Sequence, residues 1–292
     1  MHRSHGPRRC PGPALALAVI LLAGVPGCSR APTSPVFVEE TTVFATLYVN
    51  ELLTQTNAVT LRRTRPVDQP YSLADAAVRG AIVLLQAEGA AAPDTLTMSQ
   101  PGQYSNPSVL IRPRTTYHLT VHDGAHTLTA STTTPAPFSV SAAPRPAPGT
   151  MVHSEIATRW PIVLDGSDPE QIMLMDTYCL EPLENAHYVN PIGDRDTPKD
   201  DKEYGGAQTP PRNVFLYFRL GDLPRDPSGY RLAFYGDMMQ FYGRYKLGLF
   251  AIDANYYNFL YRDQPETHGG VNGGIGVFGS AARVTWVVET SR

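Results

Sequence analysis

Apolar and polar residues alternate with a period of two through much of this 292-residue chain. The cleanest stretch is Tyr117-His118-Leu119-Thr120-Val121-His122, followed by Asp123-Gly124 and then Ala125-His126-Thr127-Leu128-Thr129-Ala130. Alternation of this kind turns one face of a strand to a core and the other to solvent, and Asp-Gly supplies the positive φ that a two-residue hairpin turn needs. With Asp123-Gly124 as the turn, Leu119 faces Leu128 and Tyr117 faces Ala130. A loop one residue longer would set Leu119 against Thr129 and split the apolar face. Other strand-like runs, rich in β-branched and aromatic residues and bounded by Gly, Pro, Asn or Asp, lie at 44–49, 58–61, 78–85 and 95–98. Their spacing fits a sandwich of about one hundred residues.

A second series of strands is predicted at 161–164, 214–220, 230–235, 245–252 and 283–289. One short helix is predicted over 254–262, where Tyr257, Leu260 and Tyr261 fall at the i, i+3, i+4 spacing of a single face, with Asp253 as its N-cap. Between the two series, residues 134–150 hold five prolines, the composition of a stiff, extended linker. The expected fold is all-β, with two sandwich-like domains: residues 36–134, then a Pro-rich linker at 135–150, then a larger β domain with one short helix at 151–292. Proline content agrees, since 27 of 292 residues is about 9% against the usual ~5%, and proline is tolerated in turns, linkers and edge strands but not in helix interiors.

The N-terminus departs from this pattern. Arg3, Arg8 and Arg9 precede an apolar run of 12 residues, Ala14 to Val25, too short to span a bilayer, which needs about 20. A basic segment followed by a short apolar one reads as a secretory signal over residues 1–27. Val25-Pro26-Gly27-Cys28 resembles the lipobox of bacterial lipoproteins, in which the cysteine is lipidated and becomes the new N-terminus; Pro26 stands where a small residue is usual. Residues 28–35 then form a polar, Pro-containing tether.

Charge sharpens the picture. Lys and Arg number 24 against 27 Asp and Glu, a net charge of −3, and only 17% of residues are charged where about 25% is ordinary. Cleavage ahead of Cys28 removes three arginines and leaves 21 basic against 27 acidic residues, a net −6. That balance argues against a nucleic-acid partner and leaves membrane association to the lipid on Cys28. Of three cysteines, Cys10 leaves with the signal and Cys28 carries lipid, so Cys179 has no partner for an intrachain disulfide. Its apolar neighbours Met173, Leu174 and Met175 favour a buried, inert thiol.

Several patterns could carry chemistry. His118, His122 and His126 form an H-x3-H-x3-H series, but on a strand His126 falls on the opposite face from the other two, so no zinc site is expected. Gly274-Ile275-Gly276-Val277-Phe278-Gly279 matches G-x-G-x-x-G, yet a strand-like run follows it in place of the helix that a dinucleotide site needs. These glycines read as a close backbone approach or bulge leading into a closing strand. The acids Asp194, Asp196, Asp200, Asp201 and Glu203 fail the EF-hand spacing, with Lys199 where glycine is needed and Gly205 where glutamate is needed. Residues 230–261 hold 11 aromatics, which either pack a core or present a binding surface. No G-x-S-x-G, H-E-x-x-H or phosphate loop occurs, and neither metal nor cofactor is expected.

Val78-Arg79-Gly80-Ala81-Ile82-Val83-Leu84, Gly102-Gln103-Tyr104, Thr116 to Val121 and Thr129 to Pro135 together resemble the N-terminal half of a bacterial envelope lipoprotein family known as domain of unknown function four-two-four-nine. Asn272 to Ser280 resembles its closing motif. Pro113 departs from the family's usual glycine ahead of the Thr-Tyr-x-Leu-x-Val strand. The resemblance implies an Ig-like or transthyretin-like first domain, a second β domain, lipid anchoring in the envelope, and association with TonB-dependent outer-membrane transport. It implies no activity. The expected function is that of a non-enzymatic, lipid-anchored binding or accessory protein of the outer membrane, with a transporter or envelope protein as partner. An alternative is glycan binding through Tyr242, Tyr245, Tyr256, Tyr257 and Tyr261; a weaker one is a hydrolase using carboxylates brought together by folding.

Overall fold

The computed structural model describes residues 37–124, 126–141, 160–182, 213–234, 238–239, 241, 243–264 and 267–290. The first eight strands are β1 (Thr41–Tyr48), β2 (Leu52–Leu53), β3 (Val59–Arg63), β4 (Ile82–Ala87), β5 (Asp94–Gln100), β6 (Gln103–Leu110), β7 (Thr116–Asp123) and β8 (His126–Thr133). After them come β9 (Ser139–Val140), β10 (Trp160–Asp165), β11 (Ile172–Cys179), β12 (Asn213–Arg219), β13 (Arg225–Asp226), β14 (Gly229–Phe234) and β15 (Gly243–Ile252). Helix α1 (Ala254–Tyr261), β16 (Val271–Asn272) and the 16-residue β17 (Ile275–Thr290) complete the order. The all-β expectation holds. The predicted helix is present, with Asp253 as its N-cap accepting the backbone N–H of Tyr256.

Thirteen strands form one curled sheet, in the order β12-β11-β15-β17-β1-β3-β6-β5-β4-β7-β8-β16, with β2 on β6; four short strands form a second, β13-β14-β10-β9. Two hydrophobic cores lie under them. The first is built from residues 43–130, including Val43, Leu61, Val83, Tyr104, Leu119 and Val121, together with Phe278 from far along the chain. The second is built from residues 162–288, including Met173, Met175, Tyr245, Leu247, Leu249 and Val288, together with Val49.

Strand β17 explains that exchange. Its first half runs parallel to β1, from Thr42 opposite Ile275 to Tyr48 opposite Ala281, and its second half runs antiparallel to β15, from Ile252 opposite Ala281 to Gly243 opposite Thr290. Sixteen residues of strand extend about 50 Å, enough to serve both cores in turn. The first core is therefore closed by residues 275–281, and residues Glu39–Arg292 form one compact unit. Of the Pro-rich segment, Thr134 and Pro135 are buried and Ser139–Val140 pairs with β10; residues 142–150 lie outside the described residues.

The glycines of the 274–279 motif serve the close approach expected of them. At Gly276, φ is +116° and a Cβ would strike the Val43 carbonyl oxygen on β1; at Gly274 it would meet the Thr41 carbonyl oxygen and the Leu128 side chain. Glycine is required where β17 enters between β1 and β8.

The hairpin differs from its predicted register. Asp123 pairs with His126, so Leu119 stands opposite Ala130 and Val121 opposite Leu128; the left-handed residue of the turn is Gly124, at φ +62°. The turn sits one residue later because Asp123 is held as the last residue of β7. Its side chain is buried, accepting both Arg63 Nη2–H contacts at 2.7 and 2.9 Å and the Thr41 hydroxyl at 3.2 Å. Asp123→Ala is expected to lower stability by about 1–3 kcal/mol, below the full cost of breaking a buried pair because Arg63 is partly solvated. The urea midpoint checks this, and an unchanged midpoint would refute it. Ahead of β7, Arg114 takes the left-handed region, at φ +50°.

Candidate functional site

Helix α1 lies on the outer face of the sheet, opposite the second core. On β15, Tyr245, Leu247, Leu249 and Ala251 point into that core, so alternation turns Phe250 and Ile252 outward. There Leu174, Ile252 and Ala281 form a small apolar patch covered by Tyr48, Phe250, Tyr256, Tyr257, Leu260 and Tyr261. The helix docks because Tyr257, Leu260 and Tyr261, at i, i+3 and i+4, meet these three residues.

The five tyrosines expected to form a ligand surface part company here. Tyr245 is 1% exposed in the second core and its hydroxyl accepts the Phe241 N–H at 2.7 Å; as an inward-facing residue of a central strand it cannot reach a ligand. Tyr242 lies outside the described residues. Tyr256 is half-buried, and burial pushes its hydroxyl up to about 12. Tyr257 and Tyr261 join a residue outside the expected set, Tyr217 on β12, which is 46% exposed. Ring centroids are 5.3 Å apart for Tyr217 and Tyr257, 4.3 Å for Tyr217 and Tyr261 and 5.2 Å for Tyr257 and Tyr261, with interplanar angles of 67°, 45° and 38°. The rings are inclined to one another and form no flat platform. A hydrogen bond in which the Tyr257 O–H donates to Tyr217 holds the Tyr257 phenol above its ordinary value.

Beside this cluster lies Asp176 on β11. It stands directly opposite Phe215 of β12, which is 52% exposed, and Gly248 of β15; Leu174, two residues back, stands opposite Tyr217. The ring of Phe250 lies over Gly248, where a side chain would otherwise be. Asp176 Oδ1 and the Tyr261 hydroxyl are both buried without a hydrogen-bond partner. Burial raises the Asp176 carboxyl, while the field of Lys246 pulls it back down. The lone acid within Met173-Leu174-Met175-Asp176-Thr177-Tyr178 was the available sequence signal for this feature.

A cleft of about 620 Å³ opens on the other side of α1, lined by residues that include Arg114, Thr133, Asp168, Glu170 and Asn255. Its volume suits a small molecule, but several of its polar groups already have partners within the protein. Asp253 accepts the Thr132 hydroxyl at 2.6 Å and the N–H groups of Ser280 and Tyr256 at 3.0 Å. Burial raises the Asp253 carboxyl, with these hydrogen bonds acting against the rise. Asp168 accepts the Glu170 N–H, Glu170 pairs with Arg219, Arg114 donates to Ser167, and Asn255 donates to the carbonyls of Ser131 and Phe278.

The remaining expectations fall as follows. His118, His122 and His126 are all exposed, and His122 Nδ1 contacts the Thr127 hydroxyl at 3.1 Å. Cys179 is buried in the second core. Cys28, the signal segment and the acids at 194–203 lie outside the described residues. Among the described residues no helix is long and apolar enough to cross a membrane.

No protein-family model matches the chain, and no curated protein matches it. Among solved structures it is similar to the FN1–FN3 domains of chicken CNTN1, at 12% identity and a TM-score of 0.25, over 87% of this chain and 67% of that one. The strands and their pairing make this an all-β protein with one large curled sheet and a small second sheet.

Proposed function

We propose that this chain is a lipid-anchored cell-envelope protein that works by binding, as a non-enzymatic accessory component of an outer-membrane, TonB-dependent uptake system. The observation that carries the reading is Val25-Pro26-Gly27-Cys28 at the end of a basic and then apolar leader. Ten residues separate Cys28 from Glu39, where the compact unit begins, and ten residues span at most about 35 Å. A lipid on Cys28 would hold the folded unit close to the membrane. The commitment of Asp168, Glu170 and Asp253 to turns, ion pairs and caps supports binding over hydrolysis.

Metabolic labelling with a fatty acid tests the anchor. Wild type is expected to take up label and Cys28→Ala to lose it; equal labelling of the two would sink the proposal. Crosslinking in intact envelopes is expected to recover a transporter or envelope component, and recovery as a free monomer alone would count against the partner. The exposure of Tyr217 beside Tyr257 and Tyr261 supports a second reading, glycan binding on the outer face of β12 and α1, which retardation in affinity electrophoresis with immobilised polysaccharide would reveal.

A further inference from the structure

Two buried polar atoms without partners, the Asp176 carboxylate oxygen and the Tyr261 hydroxyl, occur on one face of one sheet. Leaving such atoms unpaired costs about 1–3 kcal/mol each, more for a charged group, so a native fold keeps them where something else supplies the missing bonds. The surroundings define what that is. Strand register sets Asp176 opposite Phe215, with Tyr217 on the diagonal, and side chains in these positions are neighbours. On the other flank the Phe250 ring covers Gly248, and the α1 tyrosines stand over the adjoining Leu174. A carboxylate thus has aromatic neighbours on both flanking strands, Phe215 and Tyr217 on β12 and Phe250 on β15, and the Tyr217 ring is itself inclined to those of Tyr257 and Tyr261. A sugar would stack on a flat platform, whereas a cation is attracted by the faces of several rings at once.

We infer that this outer face of the sheet binds an organic cation, an alkylammonium group whose charge meets Asp176 and whose carbon substituents face Phe215, Tyr217 and Phe250. The inference rests on the reading of the outer face of β12 and α1 as a ligand surface. The nearest resident cation is Lys246, on the same face and opposite Tyr178; among the described residues it makes no ion pair with Asp176. Arg219 and Arg262 act on Tyr257, and Arg219 is engaged by Glu170.

The test is a titration of the whole protein with tetramethylammonium chloride, against sodium chloride at equal ionic strength, followed through the aromatic proton resonances. A saturable shift is expected in wild type, weakened about tenfold or more in Asp176→Asn and Tyr217→Ala, in line with the loss of a charge partner and a cation–π wall. Asp176→Asn is also expected to raise the melting temperature near neutral pH. The folded carboxyl titrates above its ordinary value, so its ionisation opposes folding as pH rises through that value. Absence of saturable binding in wild type, unchanged affinity in Asp176→Asn, or a lower melting temperature in that variant would each overturn the inference. If a neutral oligosaccharide shifts the same resonances saturably and tetramethylammonium does not, the ligand surface stands and the cation falls. If neither binds, both fall.

Discussion

Deleting residues 275–292 is expected to unfold the entire compact unit, including the sandwich formed by residues 41–133. Strand β1 would lose its parallel partner along its whole length, and β15 would lose its antiparallel one. The first core would also lose Phe278, which is fully buried within it. Point substitutions should show the same coupling in milder form. Phe278→Ala is expected to cost about 3–5 kcal/mol as a large-to-small change in a packed core. Gly276→Val should cost about 3 kcal/mol or more, because its Cβ has no room against Val43 and a β-branched residue disfavours φ +116°. Chemical denaturation followed by circular dichroism, with hydrogen exchange of the β1 and β15 amides, measures both. A cooperative unfolding transition from residues 36–134 alone would show that the sandwich closes without β17 and would defeat the prediction.

The second large effect centres on Asp253. This carboxylate caps α1, takes the Thr132 hydroxyl of β8 and takes the Ser280 N–H of β17, so three elements meet on one side chain. Asp253→Ala leaves two backbone donors and a cap unmade and is expected to cost about 3 kcal/mol. Asp253→Asn keeps an acceptor for both N–H groups and removes a buried charge, so it should cost little or stabilise. The pH dependence has a definite sign. Burial raises the folded carboxyl above 3.8, so its favourable contribution is complete below that value and is lost as pH rises through the folded one. Stability of wild type relative to Asp253→Asn should therefore fall as pH rises through the acidic range. A difference that grows with pH instead would show that the hydrogen bonds outweigh burial.

Much of this was legible along the chain because it depends on near neighbours. Alternation at 117–130 predicts the hairpin, Tyr257, Leu260 and Tyr261 at i, i+3, i+4 with Asp253 predict α1, and the glycines of 274–279 predict a close backbone approach; all three are present. Local pattern fails where a residue's role depends on a distant partner. The hairpin slipped by one residue because Arg63 and Thr41 hold Asp123 in the strand. Strand β11 carries apolar residues on both faces, Met173 and Met175 inward and Leu174 outward, and so lacks the alternation that marks a strand with one wet face.

The sequence by itself determined the all-β class, most strand positions and helix α1 with its cap, since each follows from composition or from residues a few positions apart. Tertiary structure alone decided that one 16-residue strand closes two cores, that Tyr245 is core while Tyr217 joins Tyr257 and Tyr261, and that Asp176 lies unpaired among aromatic rings. Those facts depend on sheet register between segments tens to hundreds of residues apart, and no local propensity encodes which strand edge a distant segment will meet.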